Sequence, residues 1–407
     1  MRTTSSTSDS RFAPISPAAR ATPCPGCGSE RVEDFFQLER LPVHVGVLYD
    51  SADAARRAPM GRLTLAYCRG CGLAFNRSFE PEKLIFSPGY EVQLVHSAVF
   101  RAFLETVADR LIARYGLRDK DLIDIGCGAG HFLRLLCEHG PNRGLGIDPT
   151  LRQPGDVPLA VGELHLVRGL FGELRLDREF DFASCQSVLE DIPDPVRFIA
   201  QVRRLVERRQ GCVYLEVFNA FRAFEAGETW SLCYEQCLYY SLQSFRNVVR
   251  RAGLRILESG GCYVENQYLY VEAKAEATPA PPDSTDAAEL PAAIWQFSQL
   301  HAQKLADWTE RIARFRQQGK QVVVWGSGAK GICFLNTVGA TDVFRTVVDI
   351  NPDRQGRFMP GSAQPIVAPD WLAHHRPDVI VLTNPLYEDE IRTTVASMGL
   401  SCDFVVI

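Results

Sequence analysis

The sequence predicts an α/β protein with two separate sheets behind a small cysteine-rich module. Apolar runs of buried-strand length alternate with helical patterns from about residue 95 to 274, and again after residue 294. Between these regions, residues 276–293 are rich in proline, alanine and acidic side chains, which is the composition of a linker. With 407 residues, the chain is long enough for two or three domains.

The composition limits the classes of function. Hydrophobic residues make up 46% and charged residues 23%, which is the balance of a soluble globular protein, and the net charge of -5 argues against a nucleic-acid partner. No apolar run approaches the ~18 residues that a membrane span needs. Residues 1–20 lack the apolar core of a signal peptide and are expected to form a disordered tail. Together with 13 cysteines, this predicts a reducing, cytoplasmic location.

The cysteine-rich module is expected at residues 21–85. It contains two C-x-x-C pairs, each followed by glycine: Cys24 with Cys27, and Cys68 with Cys71. Each pair can place two thiolates on one metal ion, and two pairs complete a tetrahedral zinc site. Because four thiolates leave no open coordination position, the zinc is predicted to be structural.

The first glycine loop follows a predicted strand at residues 122–125 and precedes a predicted helix. Gly126, Gly128 and Gly130 give the spacing G-x-G-x-G, whereas NAD loops favour G-x-G-x-x-G. Asp124 precedes the loop and suits a cationic ligand, and Asp148, at the end of the next strand, can accept hydrogen bonds from a ribose diol. The sequence therefore predicts a Rossmann-like, class I domain that binds S-adenosylmethionine and transfers its methyl group, at residues 86–275.

A second glycine loop begins at Gly326, continues through Gly328 and has the spacing G-x-G-x-x-G, with Asp349 further along the chain. This spacing by itself indicates a dinucleotide. Asn384 and Tyr387 follow another predicted strand, at the carboxyl edge where a ligand could bind.

Several motifs, in this order and spacing, carry a resemblance to a known family. They are the paired C-x-x-C, DIGCGAGHF, YEQCLYYS, VVVWGSGAKG, DINPDRQGRFMPG and TNPLYEDEI. With them the chain resembles the zinc-binding sugar C-methyltransferases, which act on nucleotide-linked 3-keto sugars. The resemblance implies a C-terminal Rossmann-like domain at residues 294–407 that holds a nucleotide-sugar substrate without NAD. Its candidate substrate contacts are Gly326, Gly328, Asn384 and Tyr387.

The chain departs from that family at two histidines. Tyr234-Glu235-Gln236 replaces a His-Glu-His-like stretch whose second histidine is a candidate base, and Asp191 replaces another histidine. An amide side chain does not titrate, so the base is expected to be Glu235, Asp191 or a tyrosine, Tyr234 or Tyr90. The weaker candidate is His96.

The sequence thus predicts methyl transfer to a carbon of a nucleotide-linked keto sugar. Three alternatives stay open at this point. The acceptor could be a hydroxyl of a sugar or another small molecule, the chain could be a cofactor-binding scaffold that has lost catalysis, or the second glycine loop could serve an NAD-dependent sugar enzyme.

Overall fold

The computed structural model describes residues 22–88, 90, 95, 97–275 and 291–407. The predicted tail at residues 1–20, most of the predicted linker and His96 lie outside these ranges.

The strands and helices fall into three groups along the chain. The N-terminal group comprises β1 (Val32–Pro42), α1 (Ala52–Arg56), β2 (Met60–Cys68) and β3 (Ala74–Asn76). The middle group comprises α2 (Ala98–Tyr115), β4 (Asp121–Ile125), α3 (His131–His139), β5 (Arg143–Asp148), β6 (Gly155–Asp156), β7 (Glu163–Arg168), β8 (Phe182–Gln186), α4 (Pro195–Val206), β9 (Cys212–Phe218), α5 (Ala220–Glu225), β10 (Leu238–Tyr239), α6 (Leu242–Arg251), β11 (Leu254–Cys262) and β12 (Tyr268–Ala275). The C-terminal group comprises α7 (Ala292–Gln317), β13 (Val322–Trp325), α8 (Ala329–Val338), β14 (Phe344–Val348), β15 (Ile366–Val367), α9 (Leu372–His375), β16 (Val379–Leu382), α10 (Glu388–Ser397) and β17 (Asp403–Val406).

The middle sheet has eight strands in the order β11-β12-β9-β8-β4-β5-β7-β6. Strands β7, β5, β4, β8 and β9 are parallel, and β12 runs antiparallel between β9 and β11. The chain order reverses at β4, which has β5 on one side and β8 on the other, and ligands of open α/β sheets bind at such a switch point. This confirms the predicted Rossmann-like methyltransferase sheet.

The C-terminal sheet is parallel throughout, in the order β15-β14-β13-β16-β17. All four residues of β13 are buried, as expected for a central strand covered on both faces. This confirms the predicted C-terminal Rossmann-like domain. Its first helix, α7, begins at Ala292, two residues before the predicted boundary.

The N-terminal module is built into the rest of the chain. Its sheet has the order β1-β2-β3-β10, and its edge strand β10 comes from the middle group. Cys24, Cys68 and Cys71 pack in one hydrophobic cluster with residues of the middle sheet, while Val45 packs with the core of the C-terminal sheet. Residues of the module therefore reach the space next to both sheets.

Within the described ranges, no helix is both long enough and apolar enough to span a bilayer.

Candidate active site

The backbone of the first glycine loop adopts left-handed conformations that glycine favours. Gly126, Gly128 and Gly130 have φ angles of 75°, 54° and 82°, in the left-handed region. A Cβ atom on Gly126 would lie 2.1 Å from Val188, so this glycine is required by the protein's own packing. A Cβ atom on Gly128 would meet nothing within 4 Å, so the loop faces open space there.

Asp148 fixes this loop to the end of β5. Its Oδ2 accepts the Gly128 N–H at 2.8 Å, and its Oδ1 accepts the Thr150 N–H at 2.7 Å. The side chain therefore lies beside the loop, as its position in the sequence predicts. Its contact with a ribose stays a prediction.

Asp124 is buried beneath the loop, at 3% exposure. Its Oδ1 accepts the Ser184 hydroxyl at 2.7 Å. Burial raises the pKa of Asp124 to about 7, the Ser184 hydrogen bond opposes this, and Asp148 adds to it. Burial also raises the pKa values of Glu190 and Glu216 to about 7. Three buried acids with raised pKa values therefore lie at this edge of the sheet, and a nearby positive charge would favour their ionised form.

Glu235 is the centre of a second cluster, at 3% exposure. Its Oε1 accepts the Tyr90 hydroxyl at 2.8 Å, and its Oε2 accepts the Val45 N–H at 3.3 Å. Both donors come from the segment before α2, so the N-terminal part of the chain positions a carboxylate of the methyltransferase domain. Burial, followed by the charges of Glu235 and Asp191, raises the pKa of Tyr90 well above its usual value, and the phenol keeps its proton.

Asp191 belongs to the same cluster. It ends the short 3-10 turn Leu189–Asp191, which follows β8 at the carboxyl edge of the sheet. Burial raises its pKa well above the usual value, and the charges of Glu235 and Glu190 raise it further. Burial and the charge of Glu235 therefore both favour the protonated form of Asp191.

Tyr234 lies in different surroundings. Its hydroxyl accepts the Glu80 N–H at 3.0 Å, and a Cβ atom on Gly61 would lie 2.1 Å from its ring. Burial raises its pKa, and the charged groups that act on it are Glu80, Lys83 and Glu82, not Glu235 or Asp191. The structure thus joins Tyr90, Glu235 and Asp191, while Tyr234 anchors the N-terminal module. The catalytic role predicted for Tyr234 has no support in this geometry.

Several buried polar atoms in the segments that carry these carboxyls make no hydrogen bond within the described residues. They are His44 Nδ1, Gln186 Nε2, Glu190 Oε2 and Gln236 Oε1. A buried polar atom without a partner is costly unless a ligand or water completes it. The set includes a donor amide and two acceptor oxygens, which suits a neutral ligand rich in oxygen.

The four predicted metal ligands converge. Cys24 Sγ lies 3.5 Å from Cys71 Sγ, Cys27 Sγ lies 3.5 Å from Cys68 Sγ, and all four sulfurs lie within 4.8 Å of one another. Tetrahedral zinc with bonds of about 2.3 Å would separate its sulfurs by about 3.8 Å. The geometry is therefore compatible with one zinc ion. Beside this cysteine cluster, the buried Asn247 of α6 donates to the Cys71 carbonyl at 3.2 Å.

The second glycine loop is occupied by the protein's own groups. Asp349 Oδ2 accepts the Ser327 N–H at 2.8 Å, and a Cβ atom on Gly326 would lie 2.1 Å from the Thr383 hydroxyl. Only the space around Gly328 is open, with nothing within 4 Å of an added Cβ atom. Asp349 thus holds the second loop as Asp148 holds the first, and these contacts do not distinguish NAD from another nucleotide ligand.

Tyr387 and Asn384 lie at the carboxyl edge of β16. Asn384 caps the short turn after this strand, and its Oδ1 accepts the Leu386 N–H at 3.1 Å. Burial raises the pKa of Tyr263, and Tyr387 raises it further and also acts on Tyr268 of the methyltransferase domain. Tyr387 therefore lies close enough to act on these two tyrosines of the methyltransferase domain.

Sequence reasoning missed His44, Gln186 and Tyr263. Gln186 ends β8 at the switch edge, a position that could have been read from the strand pattern. Tyr263 has a φ of 61°, which is a strained backbone conformation for a residue with a side chain. This strain is visible in the structure and not in the sequence. His44 lies far from Glu235 in the chain, and nothing in its local pattern marks it.

The fold and the first loop define a methyltransferase that depends on S-adenosylmethionine. Residues 100–259 match a family model described as a methyltransferase domain, and residues 289–406 match the C-methyltransferase C-terminal domain. The C-methyltransferase NovU of Streptomyces niveus is 25% identical to this chain over an alignment 400 residues long that covers 90% of each protein.

Other relatives share only part of the chain. A ubiquinone biosynthesis O-methyltransferase of Pseudomonas aeruginosa (strain UCBPP-PA14) is 35% identical over an alignment 117 residues long. This alignment covers 26% of this chain and 47% of that protein. Among solved structures, the magnesium protoporphyrin IX methyltransferase of Synechocystis PCC 6803 with bound SAH is similar to 46% of this chain and 89% of its own, at 15% identity and a TM-score of 0.36.

Proposed function

We propose that the protein transfers a methyl group from S-adenosylmethionine to a carbon next to the carbonyl of a nucleotide-linked keto sugar. The observation that carries the proposal is the Tyr90–Glu235–Asp191 cluster. It combines the Glu235 carboxyl group, held by the Tyr90 hydroxyl, with Asp191, whose raised pKa suits a proton donor, and enolisation needs a base and a proton donor. The similarity to a C-methyltransferase over 90% of both chains supports the same reaction class.

The cofactor is expected over the first loop, with Gly128 leaving space for it and Asp148 beside it. When bound, S-adenosylmethionine supplies an activated methyl group on a sulfonium. Asp124 and the neighbouring buried acids would attract the positive charge of the ligand.

Glu235 takes the proton from the carbon next to the carbonyl, and the C–H electron pair moves toward the carbonyl oxygen. Asp191 donates a hydrogen bond to that oxygen and stabilises the enolate. Tyr90 holds the Glu235 carboxylate through its hydroxyl, and Gln186 and Gln236 offer polar atoms to the rest of the acceptor. With the cofactor bound, this nucleophilic carbon would take the methyl group as the methyl carbon–sulfur bond breaks, and S-adenosylhomocysteine would be the leaving group.

The C-terminal domain would hold the nucleotide part of the acceptor. The open backbone at Gly328 and the position of Tyr387 opposite the methyltransferase domain support this role. We also propose that the four cysteines bind one structural zinc ion, which the converging sulfurs support.

The test is methyl transfer from labelled cofactor to nucleoside-diphosphate-linked 3-keto sugars, with solvent deuterium exchange at the adjacent carbon as a separate measure of deprotonation. Glu235→Gln should abolish both signals, a loss of at least roughly 10²-fold, and leave S-adenosylhomocysteine binding intact. The exposed Glu225→Gln, on α5, is the matched control. Full activity of Glu235→Gln would contradict the base assignment. Methylation without proton exchange in the wild type would identify a hydroxyl as the acceptor.

A further inference from the structure

His44 lies two residues after β1, in the N-terminal module, and its side chain is only 10% exposed. Aromatic rings confine it: the ring centroids of Phe86 and Tyr90 lie 6.1 and 6.3 Å from the centre of the imidazole, both in edge orientations. The imidazole is therefore a buried polar group held against the Tyr90 side of the active-site cluster.

The hydrogen bonds of the backbone determine which nitrogen of His44 carries the proton. Nε2 accepts the Ile85 N–H at 3.2 Å, and a ring nitrogen that accepts a hydrogen bond holds a lone pair. The proton of the neutral imidazole is then on Nδ1. Nδ1 is buried and has no hydrogen-bond partner within the described residues.

The carboxylate next to this N–H is that of Glu235. Nδ1 lies 3.6 Å from Glu235 Oε2, which is slightly longer than a formed hydrogen bond. Catalytic hydrogen bonds are often long without substrate and shorten in the productive complex. Oε2 accepts only a long hydrogen bond, from the Val45 N–H at 3.3 Å, whereas Oε1 accepts a shorter one from the Tyr90 hydroxyl at 2.8 Å.

We propose that His44 is a positioning residue whose Nδ1–H donates to Glu235 Oε2 and fixes the carboxylate for proton removal. The proposal rests on the function proposed above, in which Glu235 is the base. With Tyr90 on one oxygen and His44 on the other, the plane and direction of the carboxylate are both set. The N-terminal module thus supplies an imidazole to the site, where the Tyr234-Glu235-Gln236 stretch contains no histidine.

Two substitutions separate the two nitrogens of His44. His44→Asn keeps an amide donor near the position of Nδ1, and His44→Gln reaches the position of Nε2 and keeps an acceptor for Ile85. We expect His44→Gln to lose roughly tenfold or more in kcat and in deuterium exchange, with KM and S-adenosylhomocysteine binding unchanged, because a hydrogen bond to a charged group is lost. His44→Asn should recover most of the rate. Wild-type turnover in His44→Gln, or an equal loss in both variants, would overturn the proposal.

A second measurement does not depend on turnover. Nitrogen-15 labelling of histidine in the full chain, with S-adenosylhomocysteine bound, should show a protonated Nδ1 for the resonance that disappears in His44→Asn. That resonance should shift in Glu235→Gln and stay in place in Glu225→Gln. An unprotonated Nδ1, or a resonance that Glu235→Gln leaves unmoved, refutes the contact. Failure of every keto sugar to accept a methyl group would instead refute the proposed function, while this resonance still decides the role of His44.

Discussion

Replacement of Asp124 by asparagine should stabilise the protein and weaken its binding of S-adenosylmethionine. The pKa of Asp124 is raised from 3.8 to about 7, chiefly by burial. A carboxyl group whose pKa is raised by folding binds its proton more tightly in the folded state. The stability that this proton gives the folded state is present at low pH and is lost as pH rises from about 3.8 to about 7. Since each pH unit corresponds to about 1.4 kcal/mol, the buried charge costs about 1.5 kcal/mol at pH 5 and about 4 kcal/mol at pH 8.

The asparagine side chain of the variant would carry no charge at either pH and could still accept the Ser184 hydroxyl. The free energy of unfolding of Asp124→Asn should therefore exceed that of the wild type by up to about 4 kcal/mol at pH 8, and by less at pH 5. S-adenosylmethionine should bind the variant more weakly, because the negative charge that attracts its sulfonium is gone. S-adenosylhomocysteine has an uncharged sulfur, so its affinity should fall less.

Urea unfolding at both pH values and calorimetry with both ligands measure these differences. Asp177→Asn is the control, since this side chain is 76% exposed and should change neither quantity. A variant no more stable than the wild type at pH 8, or one that binds S-adenosylmethionine with full affinity, would refute the reasoning.

Three other changes test the acceptor side, the cysteine cluster and the second glycine loop. Gly46→Ala should lower kcat by at least roughly tenfold, because its Cβ would lie 2.5 Å from the Tyr90 ring, while Gly172→Ala has open space and should be silent in the same assay. Cys24→Ser should reduce zinc below one ion per chain and lower the free energy of unfolding by on the order of 5 kcal/mol, and a fully folded, metal-free protein would contradict this. Because we assign the second loop to the nucleotide part of the acceptor, NAD should leave the thermal midpoint unchanged; a clear increase would restore the dinucleotide interpretation.

The cofactor half of the fold was predictable because its signals are local. The spacing of Gly126, Gly128 and Gly130 fixes a turn between a strand and a helix, and the structure places Asp148 against that turn. The four cysteines were equally visible, since each pair carries its own spacing.

The acceptor side of the site was less predictable because its contacts are long-range. Glu235 meets Val45 and Tyr90 across 190 and 145 residues. No periodicity relates these positions, and tertiary contacts such as the shared edge strand β10 and the common hydrophobic cluster bring the N-terminal module to the methyltransferase sheet. Tyr234 stands next to Glu235 in the chain, but the packing of its ring on Gly61 directs it to the module.

The same contacts explain why a zinc module would accompany a methyltransferase domain. If the module were only a stabilising attachment, its residues would only pack against the core of the domain, as the cysteine cluster does. Val45 and His44 of the module, and Tyr90 shortly after it, instead contact Glu235 inside the site. Loosening the module should therefore disturb the acceptor side before the cofactor loop, whose hydrogen bonds lie within the methyltransferase domain. Chelation of the metal should accordingly reduce turnover at a concentration of chelator that still leaves S-adenosylhomocysteine bound.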